Sequence, residues 1–266
     1  MQSNSAHSLE GKRALVCGST QGIGFACAIE LARLGAMVTL VARDEAGLKK
    51  ATVELPSSAG QKHDFVCADF TDAHKLRDGI ADWCQAHGTA HILVNNTGGP
   101  GHGPIIDATE TQFVQAFSQH LLCNQLLTQT VVPGMKQAKF GRIINIISTS
   151  VVLPIRDLGV SNTTRGAVAQ WGRTMAAELA AFGITVNNVL PGFTATARLT
   201  TLLQSKAAKQ GTTLEAIEKQ IAQAIPIGRF AFPAEIAAVV GFLATPAASY
   251  VNGVNLPVDG GRTACQ

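Results

Sequence analysis

"CGSTQGIG", residues 17–24, follows the apolar run "RALVC" (13–17) and opens the segment "GIGFACAIELARLG" (22–35). Its glycines stand at 18, 22 and 24, each with a separate physical use. Gly18 permits a tight turn, Gly22 lets backbone come close to a bound group, and Gly24 lets a helix pack closely on a strand. A strand that turns into a helix in this way points free N–H groups and a positive dipole end at whatever sits before the turn. That is a receptor for a pyrophosphate, and hence for a dinucleotide. Ser19, Gln21 and Ile23 fill the positions between the glycines.

Outward from this turn, short apolar runs alternate with helical patterns to the end of the chain. "MVTLVA" (37–42), "DFVCADF" (64–70), "HILVNN" (91–96), "RIINIIS" (142–148), "ITVNNVL" (184–190) and "GVNLPVDGG" near the end read as further strands. In the first helix only Glu30 and Arg33 interrupt an apolar surface, which predicts deep packing with one narrow wet stripe, ended by Gly35. Leu76, Ile80 and Trp83 mark the buried face of another helix, and Pro233 sits at a favoured first-turn position of the last one. The alternation predicts a single α/β Rossmann domain over 1–266. Its doubly wound parallel sheet has about seven strands, helices on both faces and right-handed crossovers. Residues 197–224 are helical in pattern but inserted between a strand and the last helix, where a substrate lid would sit.

Composition narrows the function. The chain has 266 residues, 46% apolar and 15% charged, with a net charge of +3. Its cations are scattered singly, which points to no nucleic-acid or membrane partner. No apolar stretch reaches the roughly 18 residues of a membrane span, and "MQSNSAHSLEGKR" has no leader character. The six cysteines (17, 27, 67, 84, 123 and 265) contain no C-x-x-C pair and read as reduced thiols in a cytoplasmic protein without metal.

The Gly18, Gly22, Gly24 spacing resembles that of the short-chain dehydrogenase/reductase family, and most closely its 3-oxoacyl-carrier-protein reductase branch. "CADF" with Asp69, "LVNNTGG", "GRIINIIS" ending in Ser148, "ITVNNVLPGFTAT" and "VDGG" extend the resemblance over nearly the whole chain. It implies Asp69 at the adenine, Asn96 supporting the strand beside the ribose, and Pro191, Gly192 and Thr196 at the nicotinamide end. It also implies a homotetramer and a small carbonyl or alcohol substrate. Cys17 and Thr97 replace the family's usual threonine and alanine. After the second strand Ala42 stands where an NAD-type aspartate falls, and Arg43 follows it. A guanidinium suits a 2′-phosphate, so NADP(H) is expected over NAD(H), with Asp44 capping the next helix.

The resemblance fails at the reaction centre. The family uses a tyrosine as proton donor, a lysine four residues on, a serine and an asparagine. Ser148 matches the serine. Thirteen residues later comes Ser161, with Arg165 four further in "SNTTR" (161–165), and counting back from Pro133 and Gly141 places His120 at the asparagine position. Asn124 serves there only in a different helix register. The one tyrosine, Tyr250, lies in an ordinary C-terminal segment. An aliphatic hydroxyl is a far weaker acid than a phenol, and arginine binds and stabilises charge without relaying protons. His120, near neutrality if unperturbed, is the candidate to feed a proton through a water. His102 in "GGPGHGP" (98–104) and Arg156 are candidates to meet substrate. Two readings therefore stand: a carbonyl reductase with an altered proton path, and a silent NADP(H)-binding protein for sensing or assembly.

Overall fold

The computed structural model describes residues 6–58 and 60–264; Cys265 lies outside them. Seven strands form one sheet: β1 (Arg13–Cys17), β2 (Met37–Ala42), β3 (Asp64–Cys67), β4 (Ile92–Asn95), β5 (Gly141–Ile146), β6 (Ile184–Pro191) and β7 (Asn255–Val258). Their order is β3-β2-β1-β4-β5-β6-β7, and every neighbouring pair is parallel. The helices are α1 (Gly22–Arg33), α2 (Glu45–Val53), α3 (Ala73–His87), α4 (Glu110–Phe117), α5 (Cys123–Ala138), α6 (Gly159–Leu179), α7 (Ala197–Gln210), α8 (Leu214–Gln223) and α9 (Pro233–Ala244). This is the expected doubly wound arrangement.

Side-chain alternation along the strands builds two cores. Ala14, Val16, Val38 and Leu40 face α1 and α9, while Leu15, Cys17 and Val41 face the layer of α3, α5 and α6. Both faces are buried, which is why the strands read as unbroken apolar runs. Each fully buried leucine in these layers contributes about 1.5–3 kcal/mol. The wet stripe on α1 is narrower than its sequence suggests, because the stem of Glu30 lies against Gly241 of α9. Leu76, Ile80 and Trp83 are buried on α3 as the periodicity predicts.

An amide ladder crosses the sheet. Asn95 of β4, Asn145 of β5, Asn188 of β6 and Asn255 of β7 stand opposite one another in register. Each Nδ2 donates to the next Oδ1 at 2.8 Å, from Asn95 to Asn145, to Asn188, to Asn255. Gly172 of α6 is the residue that fits over it, since a Cβ there would lie 2.6 Å from Asn188 Oδ1. Buried amides are costly unless bonded, so the ladder fixes strand register and the seat of α6 together.

Residues 197–224 hold α7 and α8, which share a small core of Leu203, Ala207 and Ile217. The insertion is pinned at its base, where Thr194 bridges Ala231, with Ala195 N donating to Ala231 O and Ala231 N to Phe193 O.

Asn145→Leu removes two ladder bonds and leaves Asn95 Nδ2 and Asn188 Oδ1 without partners. The expected cost is about 3 kcal/mol, a fall in Tm of roughly 6–12 °C by differential scanning calorimetry. An unchanged Tm would show that the ladder contributes nothing.

Candidate active site

The strand order reverses direction between β1 and β4, so the chain leaves a crevice at the carboxyl ends of the strands there. Asn96, one residue past β4, closes its floor by donating from Nδ2 to Cys17 O and Gly18 O, both at 3.2 Å. Gly18 has φ +58, and a Cβ on it would lie 2.6 Å from Asn96 O. A Cβ on Gly24 would collide with Gly18 O. The Gly22 Cβ position lies 3.5 Å from Thr196 Cγ2, and Gly22 also has a positive φ. Ser19 is buried and its Oγ accepts from Val41 N, so it braces the turn and does not face the groove.

Gln21 precedes α1 without a side-chain cap, and no acidic residue occupies the first turn. The helix N-terminus is therefore open toward a groove of about 730 Å³, bordered by Gln21, Ile23, Arg43, Asp69, Asn96 and Thr196. These residues fit a dinucleotide: an uncapped helix end for the pyrophosphate, and a cation beyond β2. Asp44 does cap α2, its carboxylate accepting from Gly47 N at 3.1 Å. Asp44 is thus committed to the helix cap, and Arg43 beside it borders the groove without an ion pair among the described residues.

The groove runs into a smaller cleft of about 240 Å³ that collects Ser148, Ser161 and Arg165 with Pro191, Gly192 and Thr196. Ser148 ends the β5 segment, and its Oγ accepts from Ser150 N at 3.0 Å. Ser161 and Arg165 lie one turn apart on α6. Arg165 is 9% exposed, donates from Nη1 to Ile146 O at 3.2 Å, and has no carboxylate within ion-pair range among the described residues. Burial and the neighbouring Arg198 pull its pKa down to about 10, which leaves it charged at neutral pH.

His120 sits in a π-helical turn (Ser118–Leu122) joining α4 to α5. The extra residue in that turn is not visible in sequence. His120 Nδ1 and Thr97 Oγ1 are 2.6 Å apart, while Nε2 is buried without a partner. Burial, then Arg165 and Arg198, depress its pKa to about 2. The expectation that His120 titrates near neutrality is therefore corrected: it is a neutral ring behind the cleft, bonded to Thr97, which lines it. Asn124 is buried in α5 and borders neither groove nor cleft. Tyr250 is fully exposed and equally remote.

His102 lines the mouth of the cleft, its pKa lowered by partial burial and by Arg198. Arg156 is exposed and does not line the cleft, a correction to the role expected for it. Its loop turns Ile155 and Leu158 inward instead, and Gly103 N donates to Asp157 O at 2.8 Å, tying that loop to the glycine-rich one. Sequence reading missed Arg198 and Arg262, which also line the cleft. Arg198 donates to Gly99 O at 3.0 Å and Pro100 O at 3.3 Å, latching the start of α7 to the glycine-rich loop. The only signal for it was a lone cation two residues after Thr196.

Among the described residues no three metal-ligating side chains come together, and no helix is long and apolar enough to cross a membrane. The five described cysteines carry free thiols.

Comparison with known proteins agrees with the geometry. A family model described as enoyl-(acyl carrier protein) reductase matches residues 18–263. The chain is 34% identical over 256 residues to the 3-oxoacyl-[acyl-carrier-protein] reductase FabG of Pseudomonas aeruginosa, covering 96% of this chain and 98% of that protein. A chloroplastic tropinone reductase homolog of Arabidopsis thaliana is 33% identical over 258 residues, covering 96% and 77%. Among solved structures, L-sorbose reductase from Gluconobacter frateurii, complexed with NADPH and L-sorbose, superposes with a TM-score of 0.91 at 29% identity, over 97% of this chain and 98% of that one. YwfH, an NADPH-dependent reductase involved in bacilysin biosynthesis, gives 0.89 at 28%, over 94% and 98%.

A histidine whose folded pKa lies far below the unfolded value of about 6.5 gives stability that is full above that value and is lost as pH falls toward 2. Between pH 7 and pH 5 the His120 contribution falls by about 2 kcal/mol. His91, lowered to about 4 by burial, acts in the same direction. The Tm of the wild type should therefore drop more steeply from pH 7 to 5 than that of His120→Asn. Parallel profiles would return His120 to an ordinary titration.

Proposed function

We propose NADPH-dependent reduction of a ketone or 3-oxoacyl-type carbonyl as the reaction of this chain, which belongs to the short-chain dehydrogenase/reductase family. The observation that carries the reading is the convergence of Ser148, Ser161 and the buried Arg165 on the cleft where the dinucleotide groove ends. The reductases from Pseudomonas and Gluconobacter support the carbonyl chemistry, and the NADPH named with the latter supports the cofactor. Gly18, Gly22 and Gly24 cradle the pyrophosphate, Arg43 takes the 2′-phosphate, Asp69 borders the adenine, and Pro191, Gly192 and Thr196 hold the nicotinamide end.

When bound, reduced nicotinamide supplies a hydride to the carbonyl carbon and is itself oxidised. The chain's part is to orient the carbonyl and to stabilise the negative charge that develops on its oxygen. Ser148 and Ser161 offer hydroxyl hydrogen bonds, and Arg165 offers a fixed cation in a water-poor site. The proton that turns the alkoxide into an alcohol comes from water in the space a phenol ring would fill, since neither Arg165 nor the neutral His120 delivers one. Residues 197–224 serve as the lid, with Arg198 as its catch. Val114 of α4 and Leu122 of the π turn, both exposed, support assembly of a homotetramer on that face.

A second reading, a nucleotide-binding protein without turnover, is favoured by one fact: neither Ser161 nor Arg165 is an acid suited to neutral pH, and His120 behind the cleft is held neutral.

NADPH binding measured beside NADPH oxidation with a panel of ketones separates the two. Tight binding with no oxidation at any pH leaves only the second reading. In an active enzyme, Ser148→Ala should lower kcat about 100-fold or more, and the double change Ser161→Tyr, Arg165→Lys should raise it. Arg43→Ala should weaken NADPH about 10-fold or more while sparing NADH, because a charge-assisted bond to the phosphate is lost.

A further inference from the structure

The charge in the reaction cleft is one-sided. Arg165, Arg198 and Arg262 all line it, and no aspartate or glutamate does. Among the described residues none of the three takes part in an ion pair. Two of them have other employment: Arg165 donates to Ile146 O, and Arg198 borders groove and cleft alike while holding Gly99 O and Pro100 O. Arg262 borders the cleft and not the groove. Its Nη1 is buried with no hydrogen-bond partner.

Arg262 is also held in place. Its guanidinium lies over the ring of Phe193, 5.3 Å from the centroid. The turn that carries it is fixed by Asp259, whose carboxylate accepts from Gly261 N at 3.0 Å, Thr263 N at 2.8 Å and Thr263 Oγ1 at 2.7 Å. Asp259 is thereby committed to backbone and hydroxyl donors and does not neutralise Arg262. A buried cationic donor with no partner costs free energy that a ligand oxygen returns. Arg262 lines the cleft without a carboxylate partner among the described residues, and a guanidinium is the side chain best suited to bind one.

We infer that the substrate is a short oxo acid: a carbonyl compound bearing a carboxylate, which Arg262 binds while the carbonyl lies at Ser148 and Arg165. This rests on the reductase reading and names its substrate class. The cleft, at about 240 Å³, falls below the usual range for drug-sized ligands and fits a substrate of a few carbons. The reaction balances as in the parent reading: hydride to the carbonyl carbon with oxidation of NADPH, a proton from water to oxygen, and a hydroxy acid released with its carboxylate unchanged.

Calorimetric titration of pyruvate, acetoacetate and levulinate, each against its methyl ester, into protein with excess NADP⁺ tests the inference without turnover. At least one acid should bind about 10- to 100-fold tighter than its ester, the range of one charge-assisted pair. Arg262→Gln should erase that preference by weakening the acid far more than its ester, and Arg262→Lys should keep part of it. Esters bound as tightly as every acid in the wild type, or both weakened alike by Arg262→Gln, would overturn the carboxylate site. NADPH oxidation with neutral ketones reports separately on the reductase. Acid preference without any oxidation keeps Arg262's role and ends the reductase reading, and equal turnover of acids and esters does the opposite.

Discussion

Everything in the site follows from one tie, the side chain of Asn96 against the carbonyls that end β1. β1 and β4 are the two strands between which the order of the sheet reverses, so their carboxyl ends must open a crevice. Asn96 sets how wide it opens. The space is so small that neither Gly18 nor Gly24 tolerates a Cβ beside it. With the floor fixed, α1 points its free end along the crevice, and the ends of β5 and β6 supply the far wall.

Beyond that wall the cleft collects Ser148 and Ser161 with three arginines, Arg165, Arg198 and Arg262. A tyrosine and lysine pair can exchange protons with its surroundings, while a serine and arginine pair keeps one charge state throughout the neutral range. His120, behind the cleft, is held neutral by its burial and by the arginines nearby. The cleft therefore presents fixed positive charge suited to an anion. Arg198 and Arg262 bring that charge from α7 and the C-terminal turn.

How much of this was legible depended on how local each feature was. The glycine turn, the seven strands and the inserted helices could be read because their signals lie within a few residues. Ser161 and Arg165 were placed by spacing alone. The π turn could not be read, because one extra residue per turn leaves the hydrophobic pattern of "FSQHLLCNQ" nearly intact. The state of His120 depends on burial and on cations from α6 and α7, far away in the chain. Arg262 carried no signal in the sequence, because its place in the cleft depends on the turn around Asp259 and on stacking over Phe193. Arg156 looked closer to the substrate than it is, because its loop rotates its apolar neighbours inward.

The amide ladder has a consequence for how this protein can change over evolutionary time. Four asparagines on four strands form a single unit linked amide to amide, with Asn188 also donating to Ala169 O of α6. Replacement of one rung strands the groups on either side, so an apolar substitution is tolerated only if its neighbours change with it. Gly172 adds a fifth position to the same unit, because any side chain there meets the ladder. Mutational paths through β4 to β7 must then cross a valley of unstable intermediates, whereas the cleft residues on the loops change one at a time. A scaffold this resistant to drift leaves the side chains that line the cleft freer to diverge than the ladder beneath them.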